Sequence, residues 1–227
     1  MDAYEGTLSC YGLSILASAL HAQQFAPPRR DGYTQPMISA ILLAAGESKR
    51  MGAFKQLLPF EGKPFVLCAV DNLLDAGADE IIVVTGHRES DVRAALHDRA
   101  VRFIHNADYK LGMSESIKRG VEAVSQNAEA VLIALADQPQ IGAAVIRRLI
   151  QAWKKDRPLI LVPTFEGRNG HPVIFDIGLK NEILSIDPRR GLREVVQAHK
   201  YEVLRVEADA EVLTDFDSPE DYRRISE

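Results

Sequence analysis

Short apolar runs alternate along this chain with segments whose apolar residues recur at helical spacing. The runs predict strands at residues 38–43, 80–86, 101–105, 131–136, 158–162 and 201–206, and residues 167–175 predict a glycine-flanked turn that enters a further apolar strand. The segments between them predict helices at residues 64–76, 90–97, 114–125, 141–155 and 191–199, with a last helix beginning after Ser218. Uninterrupted apolar strands that alternate with helices are typical of parallel sheets covered on both faces. We therefore expect a doubly wound, mostly parallel, Rossmann-like α/β fold with ligands at the carboxyl ends of its strands.

The first part of the chain follows a different pattern. Residues 8–20 are moderately apolar, and residues 25–32 then predict a linker, because two prolines and a glycine oppose regular structure. The apolar run is too short to span a membrane as a helix, and no Lys or Arg precedes it, unlike in a secretory signal. We expect an N-terminal extension at 1–36 that is poorly ordered or loosely packed. One domain follows at 37–227, with Met37 as an alternative start.

Composition narrows the class of protein. The chain has 227 residues, of which 46% are hydrophobic and 26% charged, as in ordinary globular proteins that form a core without disulfides or metals. A net charge of -5 disfavours nucleic acid as the main partner but permits a local basic pocket. Cys10 and Cys68 form neither a disulfide framework nor a metal-ligand spacing. A cytoplasmic protein without membrane contact is the expectation.

A cationic loop follows the first predicted strand. Residues 44–46 are Ala, Ala and Gly, so no large side chain keeps a ligand away from the backbone amides. Lys49, Arg50 and Lys55 follow, and three cations beside bare backbone suit a polyphosphate. The loop has neither the glycine spacing of a dinucleotide fingerprint nor the Gly-Lys-Ser/Thr ending of a Walker loop. An ordinary solvated basic turn would carry the same charges and remains the alternative.

The order of residues in this loop resembles that of a known family. Leu-Ala-Ala-Gly-x-Ser-x-Arg-Met-Gly-x-x-Lys at 43–55 is similar to the signature loop of MobA-like nucleotidyltransferases of the molybdenum cofactor cytidylyltransferase type. The resemblance implies that Arg50 and Lys55 act in catalysis by binding the triphosphate and stabilising charge at the attacked phosphorus. It implies nucleotide binding by Leu43, Ala44, Ala45, Gly46, Ser48, Arg50 and Lys55. It also favours CTP, because guanylyl relatives carry a second glycine.

A second chemical segment lies before the predicted helix at 114–125. Gly112 permits a tight turn, and Ser114 is in position to cap the helix. A helix N-terminus with serine hydroxyls offers donors to a base or a phosphate, although a well-capped helix needs no ligand. The segment resembles the Gly-Met-Ser-x-Ser sequence of the family. That resemblance implies a place in the nucleotide-base pocket for Gly112, Met113, Ser114 and Ser116.

Carboxylates follow two other segments. Asp137 ends the predicted strand 131–136 and is followed by Pro139, so its side chain could hold Mg²⁺ together with phosphate oxygens, or could cap the next helix. The resemblance to the family's Leu-x-Asp-x-Pro segment implies the Mg²⁺ role and a catalytic function. The C-terminal Asp-Phe-Asp-Ser-Pro-Glu-Asp also resembles the family's ending. It implies a second metal ligand, Asp217, with Asp215 as the second choice.

The side that would face the second substrate is less clear from the sequence. Gly170-His171-Pro172 resembles the Gly-His/Asn-Pro segment that faces the acceptor in relatives, which implies substrate binding by His171, although a hydrogen-bonded turn histidine is the alternative. Arg193 matches the end of the family's Gly-Ala-Arg segment, but Arg189 and Arg190 depart from it. Clustered arginines suit an anionic substrate, or they form a solvated cap on the following helix.

Together these motifs predict an enzyme that transfers CMP from CTP to molybdopterin with release of pyrophosphate and with Mg²⁺ as cofactor. The expected partners are CTP, or another NTP, and a phosphorylated small-molecule acceptor, with a molybdoenzyme or its chaperone as a further partner. Two alternatives remain open. One is a nucleotidyltransferase for another phosphorylated acceptor, suggested by Arg189 and Arg190. The other is a nucleotide-binding module that delivers a cofactor without turnover.

Overall fold

The computed structural model describes residues 36–216 and 218–226. The extension expected at residues 1–36 lies outside these residues, apart from Pro36, and stays a prediction. Within the described residues, no helix combines the length and the apolar character that crossing a membrane would require.

A twisted sheet of mostly parallel strands forms the centre of the fold. The strands of the structure are β1 Met37–Ala44, β2 Pro59–Phe60, β3 Lys63–Pro64, β4 Glu80–Thr85, β5 Arg102–His105, β6 Ala128–Leu135, β7 Ile160–Phe165, β8 Arg168–Asn169, β9 Val173–Asp176 and β10 Val203–Glu207. The main sheet has the order β10-β7-β9-β6-β1-β4-β5, while β8 pairs with β7, and β2 and β3 form a separate hairpin. Strand β9 alone runs antiparallel to both of its neighbours in the main order. The predicted doubly wound, mostly parallel fold is confirmed.

Helices connect the strands and cover both faces of the sheet. They are α1 Phe65–Ala76, α2 Glu89–Ala95, α3 Met113–Ala123, α4 Ala143–Asp156, α5 Lys180–Leu184, α6 Leu192–Ala198 and α7 Pro219–Ser226. The last helix begins as its sequence predicts, because Ser218 Oγ accepts a hydrogen bond from the Asp221 backbone N–H and Asp221 bonds back to the Ser218 backbone.

The prediction that Ser114 caps α3 is wrong. Gly112 occupies the cap position with φ 121°, a conformation that favours glycine, and makes no side-chain cap. Ser114 is buried within the first turn, and its hydroxyl donates to the Pro188 carbonyl at 3.3 Å. The helix also ends at Ala123 rather than at residue 125.

Two hydrophobic cores lie on opposite faces of the sheet. Ala40 and Leu42 of β1 pack with Leu73 of α1 and Trp153 of α4, whereas Ile41 packs with Val121 of α3 on the other face. This alternation follows from the two-residue period of a strand, which turns successive side chains to opposite faces. Because both faces are covered, the site-bearing loops are attached to a rigid centre.

Candidate active site

A cleft of about 410 Å³ opens where β1 and β6 end. Its lining comes from the segments that follow these strands, from the start of α3 and from the C-terminal segment. The lining residues are Leu43, Ala45, Gly46, Ser48, Lys49, Arg50, Met51, Lys55, Gln56, Tyr109, Gly112, Met113, Ser116, Leu135, Ala136, Asp137 and Asp215. The cleft therefore lies at the sheet edge that the parallel topology predicts for a ligand.

Hydrogen bonds of the Ser48 and Gln56 side chains hold the cationic loop. Ser48 adopts a left-handed conformation (φ 55°), which costs a non-glycine residue about 1–2 kcal/mol. Its hydroxyl accepts a hydrogen bond from the Lys55 backbone N–H and donates to Gln56 Oε1, both at 3.1 Å. Gln56 Nε2 donates to the Gly46 carbonyl, also at 3.1 Å. These bonds fix both ends of the loop before any ligand binds.

Lys55 and Asp137 meet inside the cleft. Lys55 Nζ lies 2.8 Å from Asp137 Oδ2, and the lysine side chain is only 9% exposed while the aspartate keeps 29%. Asp137 does not cap the following helix, whose cap is Gly142. The structure thus joins the cationic loop to the end of β6 by a direct charge-assisted hydrogen bond.

The C-terminal segment brings a second carboxylate to the cleft. Gln138 is buried and its Nε2 donates to Asp215 Oδ1 at 2.7 Å and to the Thr214 carbonyl at 3.3 Å. Gln140 Nε2 donates to the carbonyls of Thr214 and Glu211 at 2.8 and 3.0 Å. Gln138 therefore holds the Asp215 side chain, while Gln140 binds only the backbone before it, and the sequence analysis missed both contacts.

His171 lies behind the carboxylates rather than in the cleft lining. Burial lowers the pKa of its imidazole, and the negative charges of Asp215 and Asp137 oppose that shift. Its backbone N–H donates to the Val212 carbonyl at 3.0 Å, which ties it to the C-terminal segment. In the described part of the chain, its buried Nδ1 has no hydrogen-bond partner. The predicted contact with substrate stays a prediction.

The start of α3 forms the uncharged wall of the cleft. Tyr109, Gly112, Met113 and Ser116 line it, and Met113 is 58% exposed. Ser116 is buried to 4% exposure and accepts a hydrogen bond from Asn106 Nδ2 at 3.0 Å. The lining cations Lys49, Arg50 and Lys55 all lie in the loop after β1, so the two walls differ in charge.

Arg193 lies in a different place from the other predicted residues. It lines a second, open cavity of about 520 Å³ with Arg189, Arg190, Glu194 and Gln197. Arg189 pairs with Asp187 at 3.2 Å, and Arg190 pairs with Glu194 at 3.5 Å. The backbone next to this cavity meets α3 through the Ser114–Pro188 hydrogen bond. The cavity is thus adjacent to the segment that forms the uncharged wall.

Most of the predicted nucleotide-binding residues line one cleft. Ala44 and Ser114 do not line it: Ala44 belongs to a hydrophobic core, and Ser114 is bonded to Pro188. Asp217, the predicted second metal ligand, lies outside the described residues, while the second choice, Asp215, lines the cleft. The functional roles of all these residues stay predictions.

The donor set of the cleft fits a hard divalent cation. Asp137 and Asp215 supply carboxylate oxygens beside a basic loop that suits phosphates, and Mg²⁺ commonly takes one or two protein carboxylates with phosphate oxygens and water. Among residues 36–216 and 218–226, no group of three or more His, Cys, Asp or Glu forms a complete metal cage.

This chain matches one protein-family model and is similar to several known proteins. A family described as the MobA-like NTP transferase domain matches residues 40–203. A nicotine blue oxidoreductase of Paenarthrobacter nicotinovorans is 31% identical over 162 residues, covering 66% of this chain and 76% of that protein. The molybdenum cofactor cytidylyltransferase of Escherichia coli (strain K12) is 27% identical over 186 residues, covering 82% of this chain and 93% of that protein.

Solved structures show the same architecture. Rv0371c from Mycobacterium tuberculosis H37Rv has a TM-score of 0.76 at 29% identity, covering 85% of this chain and 98% of that one. Its complex with manganese has a TM-score of 0.72 at 28% identity, covering 83% and 97%. A nucleotidyl transferase from Methanothermobacter thermautotroptrophicus has a TM-score of 0.72 at 28% identity, covering 83% and 95%.

Proposed function

Because the chain belongs to the MobA-like NTP transferase family, and so is a nucleotidyltransferase, we propose that it transfers CMP from CTP to molybdopterin. A phosphate oxygen of the acceptor attacks the α-phosphorus of CTP and forms a new P–O bond. The bond between the α-phosphorus and the bridging oxygen to the β-phosphorus breaks, and its electron pair leaves with pyrophosphate. Positioning and charge neutralisation supply most of the catalysis in such transfers.

One observation carries this proposal: the buried Lys55 ammonium meets Asp137 within a cleft lined by the basic loop. A lysine and an arginine beside bare backbone suit a triphosphate, and the carboxylates opposite them suit its cation. The family resemblance alone would not have placed these groups within hydrogen-bonding distance of one another. Lys55 and Arg50 would then stabilise the negative charge that develops on the phosphates. Loss of one such donor typically costs about 10²–10³ in turnover.

Asp137 and Asp215 are the described residues that would hold Mg²⁺, with Asp217 as a further candidate outside the described residues. When bound, Mg²⁺ would neutralise phosphate charge and polarise the phosphorus–oxygen bond. The aspartates are supported by different elements, since Asp137 follows β6 and Asp215 is held by Gln138. This arrangement supports an assignment of metal binding to both.

The proposed acceptor is supported by a relative and by the cavity that the arginines line. The cytidylyltransferase of Escherichia coli acts on the molybdenum cofactor by its name, and the present chain covers 93% of its length at 27% identity. Other relatives carry unrelated names, such as the nicotine blue oxidoreductase. The cavity of Arg189, Arg190 and Arg193 favours an anionic acceptor. It therefore also supports the second candidate function, transfer to another phosphorylated acceptor.

The test is pyrophosphate release measured with CTP, GTP, ATP and UTP, each with Mg²⁺ and each with and without molybdopterin. Release confined to CTP and dependent on molybdopterin is the expected result. Release that depends on another acceptor supports the second candidate function. The absence of release with every acceptor, despite nucleotide binding, would contradict an enzyme of either kind.

Two aspartate variants separate the enzyme from a non-catalytic delivery module. Asp137→Ala should abolish turnover while leaving cooperative thermal unfolding intact, because the side chain is partly exposed at the cleft. The exposed Asp156, at the end of α4, offers the control Asp156→Ala, which should keep wild-type turnover. A delivery module would instead keep its effect on maturation of a molybdoenzyme when Asp137 is replaced.

A further inference from the structure

Asn106 is a fully buried amide that contacts the uncharged wall of the cleft. Its Nδ2 donates to Ser116 Oγ at 3.0 Å, and its Oδ1 accepts from the Asp108 backbone N–H at 3.0 Å. Its backbone N–H donates to the Thr85 carbonyl at 2.8 Å. A backbone N–H can only donate, so the bond from Asp108 fixes which end of the amide is oxygen. The amide therefore presents its nitrogen to Ser116.

This contact determines what Ser116 can offer to a ligand. A serine hydroxyl has one hydrogen to donate and two lone pairs to accept. Since Ser116 Oγ accepts the bond from Asn106, its own hydrogen is available for another partner. Among the residues that the structure describes, Ser116 donates no side-chain hydrogen bond, although the side chain is only 4% exposed and lines the cleft.

We propose that Asn106 is a positioning residue that makes the Ser116 hydroxyl a hydrogen-bond donor to the nucleotide base. This inference rests on the proposed function, because it assumes that a nucleotide occupies the cleft. Its two supports are the buried amide of fixed orientation and the hydroxyl that this amide contacts.

Because the wall that contains Ser116 is uncharged, we expect Ser116 to contact the base rather than the phosphates. The lining cations lie in the loop after β1, while Tyr109, Gly112, Met113 and Ser116 carry no charge. A triphosphate requires cations, and a base stacks on aromatic or apolar groups and is identified by its hydrogen bonds. Ser116 thus requires an acceptor on the base, such as the ring nitrogen N3 or the carbonyl O2 of cytosine.

The substitution Asn106→Asp tests the polarity of this contact directly. A carboxylate keeps the shape of the side chain and can still accept from the Asp108 N–H. It cannot donate to Ser116, so it would take the hydroxyl's hydrogen for itself. We expect the dissociation constant of CTP, measured by calorimetry with Mg²⁺ and without acceptor, to rise about tenfold or more. The exposed Asn181 offers a matched control, since Asn181→Asp adds the same charge and should leave CTP binding unchanged.

A double-mutant cycle separates the hydroxyl from the added charge. The new carboxylate repels a triphosphate whether or not Ser116 is present, so its charge contributes equally in both backgrounds. Asn106→Asp raises the dissociation constant of CTP by one factor in the wild type and by another in the Ser116→Ala variant. The ratio of these two factors measures the part of the effect that acts through the hydroxyl, and we expect it to be about five. Equal losses in the two backgrounds would show that Asn106 is merely structural and would overturn the inference.

Further outcomes keep the inference distinct from the proposed function. If Asn106→Asp abolishes cooperative thermal unfolding, Asn106→Ala takes its place in the same cycle, where loss of the donor to Ser116 Oγ should weaken CTP binding more in the background that keeps the hydroxyl. A wild-type chain that binds none of the four NTPs overturns both the proposed function and this inference. A wild-type chain that binds CTP, with no coupling between the two positions, overturns this inference alone.

Discussion

At the scale of single residues, buried amide side chains decide where the charged groups of the cleft are held. Gln56 joins Gly46 and Ser48 across the basic loop, and Gln138 holds Asp215 at 2.7 Å. Gln138 bonds Asp215, which is 77 positions away along the chain. Gln56 bonds Ser48, whose backbone is in the left-handed conformation. The site is therefore organised before a ligand arrives, as preorganised electrostatic catalysis requires.

Replacement of Gln138 should separate activity from stability. Its Oε1 is buried without a hydrogen-bond partner in the described part of the chain, so Gln138→Met removes that unfavourable group together with the bonds to Asp215 and to the Thr214 carbonyl. We expect the free energy of unfolding to change by less than about 1 kcal/mol, because the two effects offset each other. The Mg²⁺ concentration for half-maximal turnover should rise several-fold, since Asp215 loses its hydrogen bond to Gln138.

Gln140 provides the matched control for this experiment. It also has a buried Oε1 without a partner among the described residues, and it donates only to the carbonyls of Glu211 and Thr214. Gln140→Met should therefore leave the Mg²⁺ dependence close to that of the wild type. Equal shifts for both variants, in assays of turnover against Mg²⁺ concentration, would contradict a specific role of Gln138.

The sequence predicts charged site residues more readily than the residues that support them. Arg50, Lys55 and Asp137 are predicted as site residues because their charges follow apolar strands, where a parallel sheet places its ligands. The role of Gln138 depends on Asp215, which is 77 positions away, and no local pattern shows that pairing. Asn106 was missed for a similar reason, since its function is visible only from its contacts with Ser116 and Asp108.

At the scale of elements, the position of α3 depends on one close approach to the sheet. Gly120 faces Ile41 of β1 so closely that an added Cβ would overlap the Ile41 Cγ2 methyl group. The helix can therefore lie directly on β1 and β4, with which it packs through Ile117 and Val121. Ser116 lies in the N-terminal part of the same helix. The close packing of Gly120 on the sheet therefore determines where the uncharged wall of the cleft lies.

Gly120→Val should push α3 away from the sheet. We expect a loss of about 1–3 kcal/mol in the free energy of unfolding, measured by urea denaturation, because overpacking forces the core to shift. CTP binding should weaken as well, since the helix carries the cleft wall. The exposed Glu122 on the same helix offers the control Glu122→Val, which should cost no more than about 0.5 kcal/mol. A Gly120 variant no less stable than this control would contradict the close-packing argument.

His199 should make the contact between α5 and α6 sensitive to pH. Hydrogen bonds to Glu202 first and Glu182 second raise its pKa above the ordinary value of 6.5. A group whose folded pKa is raised stabilises the fold fully below its unfolded pKa, and this stabilisation disappears as the pH rises through the folded pKa. Because the pair is near the surface, we expect only roughly 0.2–1 kcal/mol.

This prediction is tested by urea unfolding at about pH 6 and about pH 8.5, where the wild type should lose more stability between the two than His199→Gln. The variant removes the ring and leaves both glutamates in place. An identical change in the two proteins would show that other groups dominate the pH dependence.

The longer strands and most helices were predictable from periodicity, but the short strands β2, β3 and β8, the helix α5, and some directions and ends were not. Apolar runs mark a strand whatever its orientation, so the antiparallel direction of β9 could not be read from its sequence. Strand β10 begins at Val203 rather than at residue 201, and α2 ends at Ala95 rather than at residue 97. These ends depend on tertiary contacts that periodicity does not contain.

At the scale of the whole molecule, the C-terminal segment packs on the region that follows the basic loop. Phe216 forms a buried cluster with Met51 and Phe65, and the Tyr222 hydroxyl donates to the Pro59 carbonyl at 2.8 Å across 163 positions of the chain. Asp215 is the neighbour of Phe216. Packing of the aromatic ring therefore contributes to the position of a proposed metal ligand.

Phe216→Ala should weaken both the fold and the proposed metal site. We expect about 3 kcal/mol of lost stability, because a fully buried aromatic ring is replaced by a cavity. Wild-type protein at a CTP concentration about 100 times its dissociation constant should gain about 2.7 kcal/mol from binding. The variant should gain less at the same concentrations of CTP and Mg²⁺.

Thermal unfolding with and without CTP and Mg²⁺ measures both effects. Tyr201 is 90% exposed, so Tyr201→Ala is a suitable control that should unfold like the wild type and gain the same stabilisation from the ligand. A Phe216 variant that loses stability but gains as much from CTP and Mg²⁺ as the wild type would show that the ring supports the fold without supporting the site.

The reversed strand β9 has a consequence for how the specificity of this architecture can change. Parallel strands reach the ligand edge of the sheet by their ends, whereas β9 reaches it by its beginning, so residues 166–172 approach the site ahead of a strand. This connection contains the short strand β8 and leads into a strand rather than into a crossover helix. We expect its length and composition to diverge among homologues more than those of the segments after β1 and β6, so that the acceptor can change without disturbing the nucleotide side.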